Sequence, residues 1–168
     1  LPVGTEDRFR GVVDLVAWRA FVWDDDDLGA EAREIDIPVD IETEARDARS
    51  RLVEAVAERD DEVELLFLEG AAVGAPALRA GIRRATVAGR LVPVLCGTAL
   101  RNKGVQPLLD AVVHYLPSPL DVPPVQGVNP DSDAPEQRSA SQTEPFCALV
   151  LKIVTDPYVG RPAFLRVY

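Results

Sequence analysis

Few residues of this chain have the types and spacing that catalysis requires. The single histidine, His114, has no cysteine, aspartate or serine at a catalytic spacing, so we expect a partly buried structural residue. The chain has no Cys-x-x-Cys motif, no histidine cluster and no serine nucleophile motif. The sequence therefore predicts no catalytic residue and no metal ligand.

Consecutive aspartates at residues 24–27 are the strongest candidate for a cation site. Calcium loops alternate their ligands along the chain and add a bidentate glutamate at a fixed spacing. Neither feature is present, so we expect a solvated hairpin tip.

A polar loop at residues 97–104 is the best candidate for a ligand contact. An apolar run at residues 91–96 precedes it and predicts a buried parallel strand, and an amphipathic helix follows and ends before Pro117. Pro107 fits the first turn of that helix. Its predicted inward residues are Leu108, Leu109, Val112 and Leu116. A buried parallel strand followed by a helix is typical of an α/β sheet. Ligands of α/β sheets bind at the carboxyl ends of the strands, where this loop lies.

The residues before this loop predict a separate α+β subdomain. Residues 9–23 favour two strands and residues 33–39 a third. A helical region with Asp40 as N-cap follows and is interrupted near Asp60, and another helix begins near Pro76. The outer face of the long helical region is acidic. It is either a solvated, salt-bridged surface or a docking surface for a basic partner, with Glu54, Glu58 and Asp61 as the candidates.

Composition limits the class of partner. The net charge of −10 argues against broad contact with nucleic acid, because such contact requires basic residues that neutralise phosphates. No segment predicts a membrane span or a signal peptide, so we expect a cytoplasmic protein. Cys96 and Cys147 lie in apolar runs and are expected to be small core residues. The absence of methionine suggests a segment excised from a longer protein.

Three stretches resemble one family. CGTALRNKGVQPLLDAVVHYLPSPLDVP is similar to the last guanine-binding loop and helix of the GTPase domain of bacterial elongation factor G. LPVGTEDRFRGVVDLV resembles the start of an insertion in that domain, and TDPYVGRPAFLRVY the start of the β-barrel domain that follows. The resemblance implies that Gly97, Thr98, Ala99 and Leu100 form the guanine loop. Backbone N–H groups at Thr98 and Ala99 would then face the guanine oxygen.

The resemblance also implies a domain organisation. Residues 1–90 would be the insertion subdomain, and residues 91–120 the last strand, guanine loop and helix of a P-loop GTPase domain. The composition of residues 121–145, rich in Pro, Ser, Asp and Gln, itself predicts an exposed linker of doubtful order. Residues 146–168 would be the first strands of a truncated barrel. Unpaired strand edges there favour pairing with a second copy.

The motifs that bind phosphate are not in this segment. It has no G-x-x-x-x-G-K-[ST] loop, and Val105 replaces the aspartate of an Asn-Lys-x-Asp motif, so we expect Asn102, Lys103 and Gly104 to be ordinary loop residues. Gly104 should adopt positive φ.

The family implies GTP or GDP with magnesium in the intact protein, and no cofactor in the segment. The implied partners are the ribosome and the stalk protein of its large subunit. The alternatives are a paralogous ribosomal protection protein and a stand-alone acidic interaction module.

Overall fold

The computed structural model describes residues 1–24, 29–158 and 160–168. It divides into two compact units, Leu1–Leu116 and Pro117–Tyr168. The described residues form a mixed α/β protein with four α-helices and small antiparallel sheets. Apart from Asp24, the predicted aspartate hairpin tip lies outside the described residues.

An antiparallel sheet opens the first unit. Its strands, in spatial order, are β1 (Pro2–Val3), β2 (Gly11–Asp14), β3 (Arg19–Val22) and β4 (Arg33–Ile35). The alternating valines and aromatic residues favour strands, and the expected pair within residues 9–23 is confirmed. The predicted third strand is also present, although it is shorter than residues 33–39.

The turn between β2 and β3 holds a tryptophan in an unusual backbone conformation. Trp18 has φ of 58°, and the Asp14 carboxylate accepts hydrogen bonds from the N–H groups of Val16 (2.8 Å) and Ala17 (3.0 Å). The guanidinium carbons of Arg46 and Arg49 lie 5.7 and 5.8 Å from the indole centroid. These cation–π contacts offset part of the backbone strain.

All four described helices belong to the first unit. They are α1 (Glu42–Ala57), α2 (Asp61–Leu68), α3 (Ala75–Val87) and α4 (Val105–Tyr115). The predicted interruption near Asp60 and the start near Pro76 are confirmed. The predicted cap at Asp40 is wrong, because Ile41 holds the N-cap position with no side-chain cap bond. The chain turns before the helix, with the Ile41 N–H donating to Pro38 O, so Asp40 lies one residue too early.

Two apolar clusters make up the core of the first unit. One lies among the helices and contains Val16, Val56, Ala57, Val63, Leu78 and Ile82. The other lies between the sheet and α1 and contains Val3, Val13, Ala20 and Ala45. Trp23, at the end of β3, is also buried. Burial of these side chains is the main stabilising contribution to this unit.

Helices α2 and α3 approach closely at a glycine. A Cβ atom added to Gly81 would lie 2.6 Å from Val63 Cγ2 and 3.1 Å from Asp60 Oδ1. A contact of 2.6 Å between carbon atoms is well inside van der Waals distance. Glycine at position 81 therefore permits the helices to pack at this separation.

The prediction of a buried strand at residues 91–96 is wrong. The segment has no assigned strand, and the side chains of Val92 and Val94 are 81% and 90% exposed. Cys96 is exposed as well, which corrects the expectation of a core cysteine. A strand exists only where another strand satisfies its backbone groups, and no described strand pairs with this segment.

The second unit consists of two hairpins. Strand β5 (Val125–Val128) pairs with β6 (Pro135–Arg138), and β7 (Ala148–Ile153) pairs with β8 (Ala163–Val167), both antiparallel. The first hairpin lies within residues 121–145, where the sequence predicts an exposed linker, and most of these residues are exposed. The second confirms the two strands predicted after residue 145.

Candidate functional site

The loop at residues 97–104 is closed by a pair of backbone hydrogen bonds. The Thr98 N–H donates to Lys103 O (2.8 Å), and the Lys103 N–H donates to Thr98 O (3.2 Å). Between them lies a short 3₁₀ turn, Ala99–Arg101, which ends at Asn102 with φ of 54°. The sequence signal for this turn is the Gly-bounded polar run, and the structure confirms a compact loop.

Glycine residues allow the two ends of this loop to approach each other. A Cβ atom on Gly97 would lie 2.8 Å from Lys103 O, and one on Gly104 would lie 2.9 Å from Cys96 O. Gly104 also has φ of 87°, which confirms the predicted positive value. The loop is thus held narrow at its base and projects its tip outward.

The tip carries two backbone donors in sequence. Among the hydrogen bonds of the described residues, none uses the N–H of Ala99 or Leu100, whereas the Thr98 N–H already donates to Lys103 O. Leu100 is exposed. The available pair is therefore Ala99 and Leu100, displaced by one residue from the expected Thr98 and Ala99. Adjacent amide donors of this kind can bind a carbonyl oxygen or an anionic oxygen.

Two residues that follow the tip are more buried than the sequence pattern indicated. Lys103 is only 2% exposed, although its surroundings in the sequence are polar. Gln106 donates from Nε2 to the carbonyls of Gly29 (3.1 Å) and Ala30 (3.3 Å). The loop is therefore supported by the segment that follows the aspartate run, a long-range contact with no local sequence signal.

Helix α4 positions the loop but exposes the face that was predicted to be inward. The side chains of Leu108, Leu109, Val112 and Leu116 are all exposed, which corrects that expectation. His114 is exposed too, and its backbone carbonyl accepts a hydrogen bond from Arg83 Nη1 (3.1 Å). The apolar face would become inward only against a layer that the described residues do not supply.

The predicted docking residues lie on the outside of α1 and α2. Glu54, Glu58 and Asp61 are all exposed. Glu58 pairs with Arg59 at 2.6 Å, an exposed contact that contributes little to stability. Exposure of these side chains is common to a solvated surface and a docking surface, so the structure does not decide between the two.

An ion pair between a buried carboxylate and a partly exposed arginine fixes α2 against α3. Asp60, at the N-cap of α2 and only 4% exposed, accepts hydrogen bonds from Arg84 Nε (2.7 Å), Arg84 Nη2 (2.8 Å) and the Val63 N–H (3.1 Å). Hydrogen bonds from Arg84 are the main cause that lowers the pKa of Asp60, and burial opposes them. Arg84 also forms an ion pair with Glu62, at 2.9 Å.

Comparison with known proteins establishes the fold but not the family. No family model matches the chain. A protein of Thermus thermophilus has a similar crystal structure, with a TM-score of 0.71 and 26% sequence identity over 99% of this chain. The chain spans 22% of the length of that protein. The two proteins therefore share a similar fold across nearly the whole of this segment.

No helix of the described residues is both long enough and apolar enough to cross a membrane.

Proposed function

We propose that this chain is a segment of a translational GTPase of the elongation factor G type. In the intact protein, GTP hydrolysis would drive the movement of tRNA and mRNA on the ribosome. The segment would contribute the loop Gly97, Thr98, Ala99 and Leu100 to the guanine site. Phosphate and magnesium would be bound by other parts of that protein.

The observation that carries this proposal is the pair of available N–H donors at Ala99 and Leu100. They lie at the exposed tip of a loop that is narrow at its base. Guanine presents a carbonyl oxygen, O6, where adenine presents an amino group. Two amide donors therefore favour guanine over adenine at this position.

An NMR titration with guanosine monophosphate tests this contact. At millimolar nucleotide we expect the amide signals of Ala99 and Leu100 to shift, while adenosine monophosphate leaves them unchanged. The variant Ala99→Pro removes one donor, and the extended backbone of Thr98 (φ −128°, ψ 104°) is compatible with a following proline. Equal shifts with both nucleotides, or an unchanged response in A99P, would contradict the assignment.

The segment alone is expected neither to bind GTP tightly nor to hydrolyse it. Tight binding requires a phosphate loop, its lysine and a magnesium ion, and the sequence contains no such loop. Calorimetry with GTP and magnesium should show no micromolar binding. A micromolar affinity would refute this part of the proposal.

The ribosomal stalk protein is the proposed partner of the acidic surface. Glu54, Glu58 and Asp61 are exposed and the chain carries a net charge of −10, so a basic partner is favoured. We expect salt-sensitive binding to the C-terminal domain of the stalk protein, and loss of binding when these three residues are changed to lysine. No binding at high concentration would leave these residues as a solvated surface.

A further inference from the structure

Helix α2 is apolar on the side that faces away from the core. Val63 is fully buried, whereas Leu65 and Leu68 are 58% and 74% exposed. Asp61 and Glu64 precede these leucines by four residues each, so the four side chains share one stripe of the helix. We name this stripe, Asp61, Glu64, Leu65 and Leu68, the leucine ridge.

The helix cannot rotate to bury these leucines. Its N-terminus is held by Asp60, which binds both Arg84 and the Val63 N–H. On the opposite side, Val63 packs against Gly81, where no room remains for even a Cβ atom. The ridge is therefore presented to solvent in a fixed orientation, and a partner that binds it loses little entropy in ordering this side of the interface.

The charges on the ridge are available as well. Within the described part of the chain, neither Asp61 nor Glu64 forms an ion pair, while the neighbouring Glu62 is paired with Arg84. Two carboxylates beside two exposed leucines match a surface that combines cations with apolar side chains. A second copy of the chain would bring the same carboxylates into contact, so like charges disfavour self-association at this ridge.

We propose that the leucine ridge binds a basic amphipathic helix of a partner protein. Apolar residues of that helix at i, i+3 and i+4 would contact Leu65 and Leu68, and its lysines or arginines would approach Asp61 and Glu64. The leucines provide the apolar anchor and the carboxylates orient the partner. If the partner is the stalk protein, this inference rests on the proposed function. Binding of a basic amphipathic helix to the ridge does not depend on that partner.

A synthetic helical peptide, with leucines on one face and lysines on the other, is the probe for this site. The test variant is Leu65→Ser with Leu68→Ser. The matched control is Leu109→Ser with Val113→Ser on α4, because these side chains are 59% and 76% exposed and so lose comparable exposed apolar surface. We expect calorimetry to show peptide affinity weakened at least about tenfold in the test variant and nearly unchanged in the control.

A second pair of variants separates charge from apolar contact. Asp61→Asn with Glu64→Gln should retain part of the affinity but lose most of its dependence on salt. Circular dichroism of each variant confirms that the helices remain folded. Unchanged affinity in L65S/L68S, or an equal loss in L109S/V113S, would overturn the ridge as the binding site.

The peptide test and the stalk titration fail independently. Peptide binding that depends on Leu65 and Leu68, without any binding to the stalk protein, would support the ridge and count against the proposed partner. Stalk binding that requires Glu54 and Glu58 and is unaffected by L65S/L68S, together with a peptide affinity that L65S/L68S leaves unchanged, would support the proposed partner and overturn the ridge.

Discussion

The junction between α2 and α3 buries its apolar side chains, whereas the hairpin of β7 and β8 exposes them. At the junction, Val63 and Leu78 are fully buried, and the buried carboxylate of Asp60 has its cation in Arg84. In the hairpin, apolar side chains on both strands are exposed. They are Leu149, Val150, Leu151, Ile153, Phe164, Leu165 and Val167.

The difference follows from how many neighbouring elements a helix and a strand each need. A helix satisfies its backbone internally and needs only one covered face, and α1, α2 and α3 cover one another. Successive residues of a strand point to opposite faces, so the hairpin needs covers on both faces and at both edges. The junction is complete within this chain, whereas the hairpin requires further strands.

The largest expected effect is a loss of stability when a buried leucine of the junction is shortened, and an exposed leucine of the hairpin serves as the comparison. Leu78→Ala removes a fully buried side chain and should lower the free energy of unfolding by about 2–5 kcal/mol. Leu151→Ala shortens a side chain that is already exposed and should change it by less than about 0.5 kcal/mol. Scanning calorimetry of both variants measures the contrast. Equal losses would show that the hairpin is covered in solution.

A smaller effect is expected from the buried carboxylate. Asp60→Asn removes the buried one of the two carboxylates that pair with Arg84 and should lower the free energy of unfolding by about 1–3 kcal/mol. Solvent screens part of this pair at the Arg84 side, which favours the lower end of that range. Urea unfolding followed by the helical circular dichroism signal gives the value. Asp61→Asn, at an exposed neighbour, is the control and should have little effect.

Acid should weaken the same junction. The pKa of Asp60 is lowered on folding from its ordinary value of 3.8, chiefly by hydrogen bonds from Arg84. The stability contributed by the ionised carboxylate is therefore present above that value and is lost as the pH falls through the lowered pKa. As the pH falls below about 4, the urea midpoint of the wild type should fall more than that of Asp60→Asn. Parallel curves would show that Asp60 has no such role.

A further effect is expected in self-association through the hairpin. Val150 and Leu165 are direct cross-strand partners, so changing both to lysine places two like charges on one face. We propose that copies of the chain pair through this hairpin, and we expect the double variant to weaken association about tenfold, or about 1.4 kcal/mol. Sedimentation over a concentration series measures this. Leu100→Lys, an exposed loop residue, is the control; a wild type that stays monomeric would exclude the pairing.

Local patterns predicted most of the first unit. The β2–β3 hairpin follows from β-branched and aromatic residues, the break at Asp60 from its capping chemistry, and the start of α3 from Pro76. The compact loop at residues 97–104 followed from its glycines. In each case the deciding interactions lie within a few residues along the chain.

Interactions with distant residues could not be predicted in this way. The apolar run at residues 91–96 has the composition of a buried strand, yet no described strand pairs with it. The shift of the available donors from Thr98 to Leu100 depends on the hydrogen bond between Thr98 and Lys103, which composition does not reveal. On α2, the close contact between Val63 and Gly81 decides which side of the helix faces the core, and it joins residues that are far apart in the sequence.

The positions of the two tryptophans have a spectroscopic consequence. Trp18 and Trp23 are the only tryptophans of the chain, and both belong to the first unit. Trp23 is buried, whereas Trp18 is partly exposed and lies near two guanidinium groups. Intrinsic fluorescence excited at the indole band therefore reports on the first unit, with a blue-shifted component from Trp23 and a red-shifted one from Trp18. The second unit contains no tryptophan of its own.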